Sequence, residues 1–139
     1  MIMPLVIDVS VMANWYFPDE RNIWGDKVLA MLNDDEHGAI VPGIWWFEMH
    51  NVLVLGERRG RSTSAQAAQF LAFLRDLPIT IAPNPGPDAV LDLSRRHSLS
   101  FYDAAYLELA KREHIALATF DRALIRAAAA ENVPLVGES

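Results

Sequence analysis

Leu5-Val6-Ile7-Asp8 is a run of three apolar residues that ends on a carboxylate. So short a continuous apolar run, bounded by a polar turn, reads as a buried strand. Two further runs share its character: Ala39-Ile40-Val41, closed by Pro42-Gly43, and Ala116-Leu117-Ala118-Thr119, which delivers Asp121. Ile79-Thr80-Ile81 and Leu135-Val136 read as shorter strands. Segments with helical spacing separate them. Val9 to Tyr16 is a short helix stopped by Pro18. Asn22 to Asn33 carries Ile23, Val28, Leu29 and Leu32 at helical intervals and is broken by the polar stretch 33–38. Ile44 to Arg59 is helical, Thr63 and Gln66 have capping-box spacing for a helix to Leu77, and Asp88 is placed to cap a helix through Arg96. Phe101 to Glu113 and Arg122 to Glu131 complete the set. Strands alternating with helices predict an α/β sandwich built on a mainly parallel central sheet.

The chain has 139 residues, 52% of them hydrophobic and 22% charged, which suits one folded domain spanning 1–139 rather than a disordered chain. There is no cysteine, so disulfide frameworks, thiol catalysis and cysteine-bound zinc are excluded. The apolar start, Met1 to Ile7, lacks a basic flank and is too short to span a membrane. A soluble cytoplasmic protein is expected. Twelve Lys and Arg against eighteen Asp and Glu give a net charge of −6, which argues against a broad nucleic-acid-binding surface. It leaves open an enzyme that holds phosphates through metal ions.

Two helices carry acids where apolar residues are expected. In Leu99-Ser100-Phe101-Tyr102-Asp103-Ala104-Ala105-Tyr106, Ser100 is a good N-cap and Asp103 follows at nearly capping-box spacing. At about 100° per residue, Glu108, Lys111 and Arg112 gather on one polar side, and Asp103 falls roughly opposite, near Tyr106 and between Leu107 and Ala110. On the helix 44–59, apolar nearly all round, Glu48 projects between Ile44, Val52 and Leu55, with Asn51 nearby. A buried carboxylate must be paired, hydrogen-bonded or bound to a metal. Asp8 and Asp121 both belong at the carboxyl edge of a parallel sheet, where ligands bind. Four acids from four distant segments can therefore converge, and a hard divalent cation such as Mg²⁺ or Mn²⁺ would relieve their repulsion. Each acid also has a plainer reading. Asp8, Asp103 and Asp121 could serve as helix caps, and Glu48 could be a satisfied core acid beside Asn51.

These blocks resemble the PIN-domain ribonucleases, specifically the VapC-type toxins of bacterial toxin–antitoxin pairs, along essentially the whole chain. The matching segments are Val6-Ile7-Asp8-Val9-Ser10, Glu48-Met49-His50-Asn51-Val52-Leu53, Tyr102-Asp103-Ala104-Ala105-Tyr106 and Ala118-Thr119-Phe120-Asp121-Arg122-Ala123-Leu124. The resemblance implies a three-layer α/β/α sandwich and a metal-dependent endoribonuclease. It implies that Asp8, Glu48, Asp103 and Asp121 are catalytic and hold one or two Mg²⁺ or Mn²⁺ ions, supported by Ser10, Asn51 and Thr119. It also implies an RNA substrate and a cognate antitoxin, with any DNA binding supplied by that partner. It does not select among transfer, ribosomal and messenger RNA.

The rivals are weaker. A phosphoacceptor receiver domain needs a lysine after a late strand, but Lys27 and Lys111 both fall within predicted helices. A haloacid-dehalogenase-like phosphatase wants an aspartate where Ser10 stands. A non-catalytic PIN scaffold is at odds with the presence of all four acids. His37, His50, His97 and His114 lack the paired spacing of a zinc site and read as surface or packing residues, and Tyr102 and Tyr106 read as packing groups. Trp45 and Trp46 project in directions about 100° apart on their helix, so at least one leaves the core. A homodimer formed partly through the helices 44–59 and 63–77 is the expected cover.

Overall fold

A computed structural model of the chain describes residues 2–136. Met1, at the head of the first apolar run, lies outside the described residues. The elements follow the order β1 (Met3–Ile7), α1 (Val9–Tyr16), a 3₁₀ turn (Pro18–Glu20), α2 (Ile23–Leu32), β2 (His37–Val41), α3 (Ile44–Arg58), α4 (Ser64–Arg75), β3 (Ile79–Ile81), α5 (Pro87–His97), α6 (Phe101–Glu113), β4 (Leu117–Ala118) and α7 (Arg122–Ala130). The strands form one four-stranded sheet in the order β3-β2-β1-β4, and every strand pair among the described residues is parallel.

That order positions the site. The chain steps outward from β1 to β2 to β3, then returns to lay β4 along the free side of β1. Where the direction of winding reverses, the connections leave opposite sides of the sheet, and a crevice opens beyond the carboxyl ends of β1 and β4. Val6 pairs with Leu117 and Ile7 with Ala118, so Asp8 and Thr119 emerge side by side.

Strands in such a sheet are covered on both faces and read as continuous apolar runs. Val6, Ile7, Val41 and Leu117 are fully buried, packed with Met12, Met49, Leu107 and Leu124 from the helices. On α3, Trp45 is buried and its indole Nε1 donates to the Met12 sulfur, whereas Trp46 is 49% and Phe47 65% exposed. The angular argument for one Trp leaving the core is borne out. Asn14, buried on α1, donates to the Glu20 carbonyl and accepts from the Asn22 amide, which ties the 3₁₀ turn to the start of α2. Gly25 comes so close to Asn14 that an added Cβ would collide with the amide oxygen.

Several expectations need correction. β2 begins at His37, because the polar stretch before Ala39 continues the ladder against Met3 and Pro4. Leu135 makes a single parallel bridge to Leu117 rather than a strand with Val136. Asp88 does not cap α5. The helix starts at Pro87, with Gly86 as its N-cap and no side-chain cap, because proline suits the first helical position. Glu108, on the polar side of α6, is nevertheless buried, since α6 lies against α5, α7, β1 and β4, and Arg112 pairs with it. Tyr102 is 55% exposed and packs against no core, whereas Tyr106 is buried as expected.

Candidate functional site

Asp8 follows β1 and is the N-cap of α1, accepting from the Val11 amide at 3.3 Å. The capping reading is therefore correct but incomplete. Ser10 Oγ donates to Asp8 Oδ1 at 2.5 Å, and Thr119 Oγ1 donates to Asp8 Oδ2. The same hydroxyls organise the neighbouring strand end. Ser10 Oγ accepts from the Phe120 amide at 2.9 Å and Thr119 Oγ1 from the Asp121 amide at 3.0 Å. Asp121 in turn caps α7, accepting from the Leu124 amide at 2.9 Å. Ser10 and Thr119 thus bind the ends of β1 and β4 to each other through Asp8. Both carboxylate oxygens of this buried acid are already engaged.

Asp103 lies in the first turn of α6, which Ser100 caps by accepting from the Asp103 amide at 3.0 Å. Glu48 lies on α3, half-buried, and its Oε1 accepts from the Tyr106 hydroxyl at 2.8 Å. Asn51 was expected to support Glu48. It is exposed and makes no hydrogen bond to Glu48, and Tyr106 fills that role from one helical turn beyond Asp103. Residues three apart on a helix share a face, which is the only hint of Tyr106 that spacing offers.

Asp103 links the electrostatics of the four acids. Burial pushes Asp8 up from the ordinary 3.8 to about 6, against the lowering effect of Ser10, Thr119 and the Val11 amide, and the Asp103 charge raises it further. Glu48 is raised by burial and by Asp103, with the Tyr106 hydrogen bond opposing. Asp103 is raised by burial and then by Asp121. Each of the other three acids is therefore coupled to Asp103, and among the described residues no basic side chain makes a salt bridge to Asp8, Glu48 or Asp103. Burial raises the Tyr106 phenol far above its ordinary range, and Glu48, Asp8 and Asp103 add to this, so it is a fixed donor.

This donor set fits a hard divalent cation: it is all oxygen, its charges are mutually coupled, and among the described residues none of the four acids has a salt-bridge partner. Among the described residues no group of three acids stands close enough to share one ion directly. One or two carboxylates with water completing the shell is how Mg²⁺ is ordinarily held.

A separate cluster lies away from this crevice. The Glu131 carboxylate receives Lys111 at 2.6 Å, His97 at 2.6 Å and Arg96 at 2.7 Å, which ties the ends of α5, α6 and α7 together. His97, read from sequence as a surface or packing residue, belongs to this knot. Lys111 and His97 first, then Arg96, hold Glu131 down at about 2.

Residues 5–130 match the PIN domain family. Ribonuclease VapC3 of Pyrobaculum aerophilum is 27% identical over 125 residues, covering 88% of this chain and 92% of that protein. Among solved structures, PAE2754 of Pyrobaculum aerophilum superposes with a TM-score of 0.68 at 25% identity, over 91% of this chain and 87% of its own. Mycobacterium tuberculosis VapC20, described as a sarcin-ricin loop cleaving toxin, superposes with a TM-score of 0.62 at 16% identity, over 88% of this chain and 94% of its own. That last likeness is one of fold.

Proposed function

The chain belongs to the PIN-domain family, and we propose from that premise that it is a metal-dependent endoribonuclease, the toxin of a VapC-type pair, folded as one domain over 1–139. The observation that carries the proposal is the hydrogen-bonded linkage of the acid-bearing segments: Thr119 joins Asp8 to the Asp121 amide, and Tyr106, three residues beyond Asp103, holds Glu48. Its relative VapC3 is a ribonuclease by name. Asp8, Glu48, Asp103 and Asp121 would hold Mg²⁺ or Mn²⁺. When bound, such an ion would supply Lewis-acid activation of water and charge neutralisation at the phosphodiester. The protein's own work is orientation. Ser10 and Thr119 fix both oxygens of Asp8, the Leu124 amide fixes Asp121, and Tyr106 fixes Glu48. The Ser100 hydroxyl steadies Asp103, whose charge is felt by Asp8 and Glu48 and which itself feels that of Asp121.

The test is cleavage of structured RNA by the purified protein, with Mn²⁺ and with EDTA. Activity is expected with Mn²⁺, and is expected to be lost both in chelator and in Asp103→Asn. Cleavage that survives either change overturns the reading.

The same acid pocket suits a partner's control. An antitoxin arginine inserted there would pair bidentately with carboxylates in place of a cation. The chain's net charge of −6 would draw in a basic segment, and DNA contact would come from that partner. A cytoplasmic setting follows from an RNA substrate, and among the described residues no helix is long and apolar enough to cross a membrane. The exposed Trp46, Phe47, Val54 and Phe73 on α3 and α4 favour a homodimer.

A further inference from the structure

We propose that Tyr106 is a positioning residue for Glu48: its hydroxyl holds one oxygen of the carboxylate in a fixed orientation and so sets how Glu48 meets a divalent cation. The inference rests on the metal-dependent reading above and deepens it. Tyr106 is among the largest fully buried side chains of the fold, and a buried phenol needs a hydrogen-bond partner. Its partner is neither backbone nor a neighbour in sequence but the Glu48 carboxylate, 58 positions away on another helix, at 2.8 Å.

Three features make this more than packing. First, Tyr106 lies three residues beyond Asp103, so one turn of α6 presents both an acid and the donor that orients a second acid. The relative placement of Asp103 and Glu48 is thereby set by helix geometry. Secondly, only Oε1 of Glu48 is taken, and among the described residues Oε2 accepts no hydrogen bond from protein. One oxygen is anchored and the other is available, which suits a ligand that contributes a single oxygen. Thirdly, Asp103 repels Glu48, and without an anchor a side chain with three rotatable bonds would relax away from that charge. The corresponding anchors on Asp8 are Ser10 and Thr119, both small and near the strand ends. Glu48 lies about one turn into α3, and its donor is the longer side chain of Tyr106.

Tyr106→Phe removes the hydroxyl and keeps the buried ring. Mn²⁺ binding to wild type, Tyr106→Phe, Glu48→Gln and the double variant is measured by titration calorimetry, alongside thermal melting without metal. Loss of a hydrogen-bonded support for a metal ligand is expected to weaken Mn²⁺ binding roughly 10-fold or more. In the Glu48→Gln background the Tyr106→Phe change is expected to have no further effect on affinity. A lowered melting temperature with unchanged Mn²⁺ affinity would show a purely structural residue and overturn the proposal. So would an equal loss of affinity in both backgrounds, because Tyr106 would then not act through Glu48. Wild-type protein that binds no Mn²⁺ overturns the metal reading itself and this proposal with it, an outcome distinct from the other two.

Discussion

Replacing Asp8 with Asn is expected to stabilise the metal-free protein at neutral pH while abolishing cleavage. Asp8 is raised from 3.8 to about 6, chiefly by burial. Between those values the folded chain holds a proton that the unfolded chain has released. Stability is therefore fully present below about pH 4, falls as pH rises, and reaches its lower plateau above about pH 6. At about 1.4 kcal/mol per tenfold in the protonation equilibrium, the ionised carboxylate costs the fold about 3 kcal/mol at pH 7. For a chain of this length that corresponds to roughly 10 °C in melting temperature. An amide at position 8 keeps the shape and carries no charge, so the advantage of Asp8→Asn over wild type should grow by about 2.4 kcal/mol between pH 4 and pH 7. Urea unfolding of both proteins in EDTA at half-unit pH steps reads the difference directly. A gap that is the same at pH 4 and pH 7 would refute the reasoning, because it would mean that Asp8 titrates alike in the folded and unfolded chain. A more stable but inactive variant is what a functional site strained by buried charge predicts.

Two further outcomes follow from features outside the crevice. Glu131 is held down at about 2 by Lys111, His97 and Arg96, so its contribution is present above its ordinary 4.5 and is lost as pH falls through about 2. Glu131→Gln should cost about 1 kcal/mol at pH 7, since Lys111 and Arg96 stay largely in solvent, and nothing below pH 2, as measured by urea unfolding. At micromolar concentration the protein should sediment as a dimer and Trp46→Glu as a monomer of unchanged circular dichroism. A monomeric wild type would remove the role assigned to α3 and α4.

Much of the architecture is legible because each element announces itself locally. Leu5-Val6-Ile7 followed by Asp8 states both a buried strand and the cap of the next helix, and the structure shows both. Thr63 with Gln66 forms the capping box that their spacing implies. The placements of Ser10 and Thr119 on Asp8 agree with the pattern as well. What spacing could not supply are meetings across the fold. Helical periodicity places Asn51 beside Glu48 on one helix and says nothing of Tyr106 on another, whose hydroxyl is the one that reaches Glu48. Glu108 shares a polar side of α6 with Lys111 and Arg112, and its burial depends on neighbours that helical spacing does not name, α5 foremost among the elements against α6. The strand order, with β4 returning to the flank of β1, likewise belongs to topology and not to any single run of residues.

The union of β1 with β4 has a consequence for synthesis of the protein. Asp8 and Glu48 leave the ribosome early, but the hydroxyl that completes Asp8 is at residue 119 and the last acid at residue 121. At about 5–20 residues per second, the interval between Glu48 and Asp121 lasts roughly 4–15 s. Throughout it the nascent chain lacks at least one of its four acids, and the central strand β1 has one bare flank. A nuclease assembled in this way cannot act on the messenger or the ribosome that is producing it until translation has passed its final strand.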